Sequence, residues 1–390
     1  MDAGQQNVIY LDHAATSWPK PPGVIEAVMD AMMNHSANPG RGSHAMAVRA
    51  SRILFDARKS LAKLFGIRNP NDIAFAANTT MALNMAIKGI LKPGDHAITT
   101  TVEHNSVRRP LYHLEQTDGV EVTFLKTDER GNINLSELEG AIRPNTKLIV
   151  ANHSSNLLGT ILPIGEIGEI ARKHGVKLLV DAAQSAGIVP IDVKALGIDM
   201  LAFPGHKGLL GPQGTGGLYI APEMDLEPLL LGGTGSQSEA PYQPLVRPDR
   251  YEAGTQNTPG LAGLKAGVDY VLNETVENIH TKEWALSQRL MDGLLSLPSI
   301  RILGPKLGEE RTGIVAFQVN GIDPSELSFI LDQHYRIAVR SGYHCTPMAH
   351  ESAGTSEAGA VRASVGVFTT EGDVDALTVA MREITKQYGI

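Results

Sequence analysis

Between about residues 70 and 220, short apolar runs alternate with segments of helical period. "DIAFAA" precedes "TTMALNMAIKGILKPG", "HAITTTV" precedes "VRRPLYHLEQ", "KLIVAN" precedes "IGEIGEIARKHG", and "VKLLVDAA" and "IDMLAF" follow. Strands that read as unbroken apolar runs, spaced by helices, predict a mainly parallel sheet covered on both faces. The segment at 163–175 illustrates the helical half of the pattern. Pro163 opens it, Ile164, Ile167, Ile170 and Ala171 recur at helical spacing, and Lys173, His174 and Gly175 supply last-turn charge and a terminal glycine. Beyond about residue 260 the pattern changes to long helical stretches, then "TGIVAFQV" and a final helix "DVDALTVAMREITKQYG", which predict a smaller α+β unit.

Composition narrows the class. The 390 residues are 42% hydrophobic and 19% charged, enough for a large core and for two or three domains. A formal net charge of −8 argues against a nucleic-acid or anionic-membrane partner and points to small-molecule chemistry. Cys345 is the only cysteine, so no intramolecular disulfide is available, and a cytoplasmic location is expected. The opening "MDAGQQNVIYLDHAAT" has no basic region followed by an apolar one, and no run approaches the length of a membrane span.

In open parallel sheets ligands gather beyond the carboxyl ends of the strands, so the residues just after the apolar runs carry the interest. Asn78-Thr79-Thr80 follows one strand and opens an amphipathic helix marked by Leu83, Ala86, Ile87, Ile90 and Leu91. Free amides and two hydroxyls there suit a phosphate, although either threonine could serve only as a cap. Asp181 ends the strand "VKLLVDAA", where a carboxylate is costly to bury without a cationic or hydrogen-bonding partner. His206 and Lys207, in "PGHKGLLGPQGTGG", follow a neighbouring strand. An aromatic aldehyde cofactor with a phosphate arm needs an amine, an acid for its ring nitrogen and a phosphate cradle, and Lys207, Asp181 and Thr79-Thr80 provide them. Pyridoxal 5'-phosphate meets all three requirements.

"YLDHAAT", "NTTMALN", "EHNS", "NHSSNLLGT", "DAAQSAG", "GHKGLLGPQGTGGLY", "YEAGTQNTPG", "RSGYHC" and "VRASVGVFTT" occur in this order along nearly the whole chain. In these motifs the sequence resembles the class V aminotransferase superfamily, and most closely its cysteine desulfurase and selenocysteine lyase branch with a compact cysteine loop. The resemblance implies an α/β architecture of the pyridoxal-phosphate-dependent fold type I. A large domain over 16–265 would hold a mainly parallel seven-stranded sheet between helices, and a smaller α+β domain over 1–15 and 266–390 would carry the cysteine loop. It further implies that Lys207 binds the cofactor covalently, Asp181 pairs with its ring nitrogen and His104 stacks on the ring. Gln184 and Asn156 would bond near the phenolic oxygen. Thr79, Thr80, His206 and Thr255 would contact the phosphate, Thr255 from a second subunit, so a homodimer is implied. Arg362 would clamp the substrate carboxylate, for which a guanidinium is well shaped, with Arg340 and Asn156 beside it. No metal is expected. Many relatives carry a hydroxyl two residues before the His-Lys pair, and here that position is Pro204, which has no donor to offer. His13, Arg41 and His44 are expected at the entrance without an assigned role.

The implied activity is a pyridoxal-phosphate-dependent cysteine desulfurase. Lys207 and His104 act with Cys345, whose thiolate takes sulfur from L-cysteine as a persulfide and leaves L-alanine. A free thiol is mostly protonated at neutral pH, and His344 or Arg340 could favour the anion. A purely structural role for Cys345, as a small buried hydrophobe, is opposed by its polar neighbours Arg340, Ser341, Tyr343, His344 and Thr346. The alternatives are a selenocysteine lyase, acting on L-selenocysteine, a class V aminotransferase or epimerase, neither of which needs a protein thiol, and, more distantly, a cofactor-free binding protein. The expected partners are the substrate, a second copy of the chain and a sulfur-acceptor protein.

Overall fold

The computed structural model describes residues 8–40 and 42–390. Arg41, expected at the entrance, and residues 1–7 of the 1–15 segment lie outside the described residues.

Seven strands form the principal sheet, in the spatial order Ile73–Ala76, Gly216–Ile220, Met200–Pro204, Lys177–Asp181, Thr146–Asn152, His96–Thr100 and Glu121–Leu125. Gly216–Ile220 runs antiparallel to both neighbours, and the remaining pairs are parallel. The mainly parallel seven-stranded sheet implied by the sequence is therefore present, and the apolar runs supply five of its strands. The other two lack a continuous apolar signature. Glu121–Leu125 is an edge strand, mostly half-buried, while Gly216–Ile220 begins with two glycines. A Cβ at Gly216 would stand 2.7 Å from the carbonyl oxygen of Phe203, so close backbone approach demands glycine where a sequence reader expects a loop.

A second sheet is antiparallel throughout, in the order Arg340–Gly342, Ala360–Ser364, Ile314–Val319 and Ile300–Ile302. Ile9–Tyr10 pairs with Ile337–Ala338 beside it. Two cores follow from the two sheets. Leu178, Leu179, Val180, Leu201 and Phe203 lie in the larger, and Leu11, Phe317, Val361, Leu377 and Met381 in the smaller. Position 265 falls inside the helix Thr258–Glu274, whose Leu261, Leu264 and Val268 pack into the larger core. The long helical stretch after residue 260 is broken at Thr275. That residue adopts a φ of 67° and its hydroxyl accepts from the Asn278 amide, starting a second helix, Val276–Leu295.

The registers position the chemistry. Asn152 pairs with Asp181, and Asp181 with Ala202, so adjacent strands end at one level and release their following residues to one side. Arg340 pairs with Arg362 across the second sheet, which puts two guanidinium-bearing side chains on one face. Like charges directly opposite each other are destabilising, so this pair makes physical sense where an anion is bound.

Candidate active site

Asp181, at the end of an apolar strand, is buried and accepts a hydrogen bond from the Ala183 amide at 2.9 Å. Burial pushes its carboxyl up to about 6, opposed by that amide and by the charge of Lys207. Lys207 faces the same cavity, and burial, followed by repulsion from Arg362, brings its amine down to about 8. An acid and an amine are thus drawn toward neutral pH by the same dry surroundings.

Neither Thr79 nor Thr80 caps the helix Thr79–Ile90. Asn78 does so, its Oδ1 accepting from the Met81 amide at 2.9 Å, and both threonine hydroxyls are left for other work. Thr80 Oγ1 lies 2.7 Å from Ser106 Oγ, which in turn bonds His104 Nδ1 at 2.8 Å. His104 is the cap of its own helix, Asn105–Asp118, and Nδ1 also accepts from the Ser106 amide. Burial and the nearby cations Lys207 and Arg340 hold His104 near 4, so at neutral pH it presents an uncharged ring. Ser106 was not singled out by the sequence reading, although its place two residues after His104 in "EHNS" was the available signal.

The two sheets meet over one polar cavity of about 210 Å³. Thr79, Thr80, His104, Asn156, Asp181 and Gln184 line it, together with His206, Lys207, Arg340 and Arg362. Arg362 is 2% exposed, which excludes a surface ion pair. Its Nη1 donates to the Asn156 carbonyl at 2.8 Å and its Nη2 to Asp12 Oδ1 at 2.9 Å, so Asp12 is a further residue of the site that sequence reasoning missed. Gln184 Nε2 donates to the Ala14 carbonyl at 3.1 Å. Five buried polar atoms on cavity-lining residues have no partner: Asn152 Oδ1, Asn156 Oδ1, His206 Nδ1, His344 Nδ1 and Arg362 Nε. Buried polar groups rarely go unpaired, so the cavity is shaped for a polar ligand.

The cysteine loop hangs on this cavity by its backbone. Asn156 Nδ2 donates to the His344 carbonyl at 2.6 Å, and the Asn105 amide to the Cys345 carbonyl at 2.8 Å. Thr346 Oγ1 donates to the Glu103 carbonyl at 3.0 Å. Cys345 is exposed, so it is not a small buried hydrophobe, whereas His344 is buried and lines the cavity. Burial and the neighbouring Arg362 push His344 down to about 3, which makes it a neutral ring at physiological pH. Behind the loop, Glu103 Oε1 accepts from Thr100 Oγ1 at 2.8 Å and from the Asn152 amide at 2.9 Å, tying two strand ends together.

Thr255 stands apart from these groups. It lines a different cavity with Phe55, Arg58, Asp249 and Glu252, where Arg58 and Glu252 form a buried ion pair of 2.5 Å. His13 lies beside the cavity, its ring stacked edge-on to Tyr10, and His44 caps the helix Ala45–Leu64.

Residues 9–377 match the family model for aminotransferase class V. A probable cysteine desulfurase of Methanothermobacter thermautotrophicus is 37% identical, covering 96% of this chain and 94% of the relative. A cysteine desulfurase of Haloferax volcanii is 32% identical over 96% of this chain and 88% of its own length. Among solved structures, an apo cysteine desulfurase from Thermococcus onnurineus NA1 superposes with a TM-score of 0.92 at 37% identity, covering 97% of this chain and 95% of that one. The S-sulfonic acid form of a cysteine desulfurase from Escherichia coli superposes at 0.87 with 28% identity, again covering 97% and 95%. With its sheet, its buried acid and amine and its motifs all within the matched span, the chain belongs to the class V aminotransferase family.

Proposed function

We propose that this protein is a pyridoxal-phosphate-dependent cysteine desulfurase. The observation that carries the reading is the backbone tether: the residues bonded to the His344 and Cys345 carbonyls, Asn156 and Asn105, are a lining residue of the Lys207 cavity and the neighbour of another, His104. A thiol so placed serves sulfur transfer and has no task in amino transfer or epimerisation. The relatives' names support the same reading.

The residues fit the cofactor. Lys207 offers the amine, Asp181 the acid for the ring nitrogen, neutral His104 an aromatic face, and Gln184 and Asn156 polar contacts at the ring edge. Thr79, Thr80 and His206 offer the phosphate cradle, and the unpartnered His206 Nδ1 gains a partner there. Pro204 ends its strand and contributes nothing, which leaves the cradle to those donors. When bound, pyridoxal phosphate supplies an electron sink for the bonds at the substrate Cα. The unpaired Nε of Arg362, with Arg340 opposite, receives the substrate carboxylate. Lys207 takes the Cα proton. The Cys345 thiolate then attacks the substrate Sγ: an S–S bond forms, the Cβ–Sγ bond breaks with its electron pair left on carbon, and protonation at Cβ, with return of the Cα proton from Lys207, yields alanine.

The same contacts accept L-selenocysteine as the alternative substrate. Two domains built on the two cores, divided near 16 and 265, are part of this proposal, as are a cytoplasmic location, a homodimer and a sulfur-acceptor protein. No helix among the described residues is long and apolar enough to cross a membrane. Exposed Met29, Met32 and Met33 on one helix, and exposed Phe55 on the next, which lines the Thr255 cavity, support a second subunit.

The test is incubation of the cofactor-loaded protein with L-cysteine. Equal amounts of alanine and transferred sulfur are expected, with an extra sulfur on the peptide containing Cys345. Pyruvate or a D-amino acid would favour the aminotransferase or epimerase, and a protein that stays colourless with added pyridoxal phosphate would sink the enzyme reading.

A further inference from the structure

Four donors converge on one backbone oxygen, the carbonyl of His206. The Ser17 amide reaches it at 3.0 Å, Thr16 Oγ1 at 3.1 Å, Ser17 Oγ at 3.1 Å and Lys20 Nζ at 2.9 Å. Lys20 Nζ also donates to Ser17 Oγ at 2.6 Å, and all of them belong to the five-residue stretch "TSWPK". A carbonyl oxygen has two lone pairs, so this is more donation than one peptide group ordinarily attracts. Only Lys20 among the four can bring a charge, and hydrogen bonds from ionised donors are roughly twice as strong as neutral ones.

The oxygen concerned belongs to the peptide bond that enters Lys207. On the far side of that loop the Gly205 amide donates to the Thr215 carbonyl at 2.8 Å, and the Lys207 carbonyl accepts from the Leu210 amide at 2.9 Å. Rotation of the His206–Lys207 peptide would swing the lysine side chain, and the "TSWPK" strap holds the one group through which that peptide could turn. The strap is itself fixed at both ends of the site. The Thr16 carbonyl accepts from the Tyr10 hydroxyl at 2.9 Å, the Ala14 amide donates to Ser364 Oγ at 2.9 Å, and the Ala14 carbonyl accepts from Gln184.

We infer that Lys20, seated with Thr16 and Ser17 on the His206 carbonyl, is a positioning residue for Lys207. It touches neither substrate nor reacting atoms; it fixes the backbone from which the catalytic amine projects. The role assigned to Lys207 rests on the function proposed above, whereas the clamp is a property of the chain alone.

Hydrogen exchange read by peptide mass, on protein without added cofactor, compares the parent with Lys20→Met and Lys20→Arg. In Lys20→Met the amides of residues 205–211 should exchange about tenfold faster, the loss of one charged hydrogen bond. Peptides from the strand Lys177–Asp181 should not change, and Lys20→Arg should stay within about threefold of the parent. Pyridoxal phosphate is then added and its covalent attachment to Lys207, trapped with borohydride, is timed. Attachment should be about tenfold slower in Lys20→Met and largely restored in Lys20→Arg. Unchanged exchange at 205–211, or acceleration spread equally through the core, overturns the clamp. Faster local exchange with unaltered attachment overturns the positioning role. A parent that never attaches the cofactor at Lys207 defeats the functional proposal instead, and exchange still decides the clamp. Should Lys20→Met fail to fold, Thr16→Val and Ser17→Ala take its place in the exchange measurement; each should loosen 205–211 by a smaller factor, and no loosening in either overturns the inference.

Discussion

The strand-end wall and the cysteine loop face one reaction from opposite physical regimes. Asp181 and Lys207 sit in the dry mouth of a parallel sheet, where burial is the largest of the causes that move both groups toward neutral pH. Cys345 is exposed, and what is unusual there is the backbone. His344 and Cys345 take φ values of 51° and 58° in succession, after Gly342 at 102°. A non-glycine residue in that region costs on the order of 1–2 kcal/mol, and the loop keeps two of them because their carbonyls are held by Asn156 and Asn105. The wall tunes its groups through desolvation, the loop through geometry, and substitutions in the two regions should therefore fail in different ways.

The largest expected effect is in the wall. Lys207→Ala removes the covalent anchor and the proton acceptor together, and alanine formation from L-cysteine should fall by about 10⁴-fold or more. Folding should not suffer, because the ammonium whose burial is costly has gone; thermal melting at pH 7 without cofactor should match or exceed the parent. A melting point well below the parent would show that Lys207 is needed for packing.

Next is the loop. Cys345→Ala should abolish sulfur on the protein while leaving cofactor absorbance intact and stability within about 0.5 kcal/mol, as for an exposed side chain. Cys345→Gly sharpens the contrast. Glycine occupies a φ of 58° without a Cβ penalty, so urea unfolding should find it about 1 kcal/mol more stable than Cys345→Ala. Equal stabilities would mean that the left-handed backbone is not a cost the loop carries.

The same contrast explains what the sequence could reveal. Unbroken apolar runs ending in Asp181, or leading to His206-Lys207, announce buried strands and groups stranded at their ends, so five strands and the acid–amine pair were legible from pattern and chemistry. The motifs extended this to Gln184, Asn156 and Arg362. Contacts made by main-chain atoms were not legible. That the His344 and Cys345 carbonyls meet Asn156 and Asn105 depends on how two sheets seat against each other, and residue type at either end does not encode it; the same holds for the side-chain pair of Asp12 and Arg362. Asn78 rather than Thr79 or Thr80 as the helix cap was likewise a choice among three residues that all cap well.

Smaller effects test those main-chain anchors. Asn156→Ala removes the donor to the His344 carbonyl and Thr346→Val the donor to the Glu103 carbonyl. Each loss is worth about 1 kcal/mol, so single-turnover sulfur transfer to Cys345 should slow about fivefold. Thr346→Val should leave cofactor absorbance and affinity unaltered, since Thr346 belongs to the loop alone. Equal losses in cofactor affinity and transfer in Thr346→Val would dissolve the division between wall and loop.

The smallest effect asks whether the loop borrows electrostatics from the wall through His344. Burial, Arg362 and His350 hold its ring near 3, against about 6.5 in the unfolded chain. Between those values the unfolded chain takes up a proton that the folded one refuses. The stability associated with the neutral ring is therefore complete above pH 6.5 and is lost progressively as pH falls toward 3. In His344→Gln this titration is absent while the other groups remain. The stability difference between parent and variant, from urea unfolding, should be flat above pH 6.5 and should turn steadily against the parent between pH 6 and 4.5. Because a neutral ring lends no charge to a thiolate, the pH profile for alkylation of Cys345 by iodoacetamide should overlay in the two proteins. A profile shifted upward in His344→Gln, with no slope in the stability difference, would show that His344 is a cation at neutral pH and that the loop too is tuned by charge.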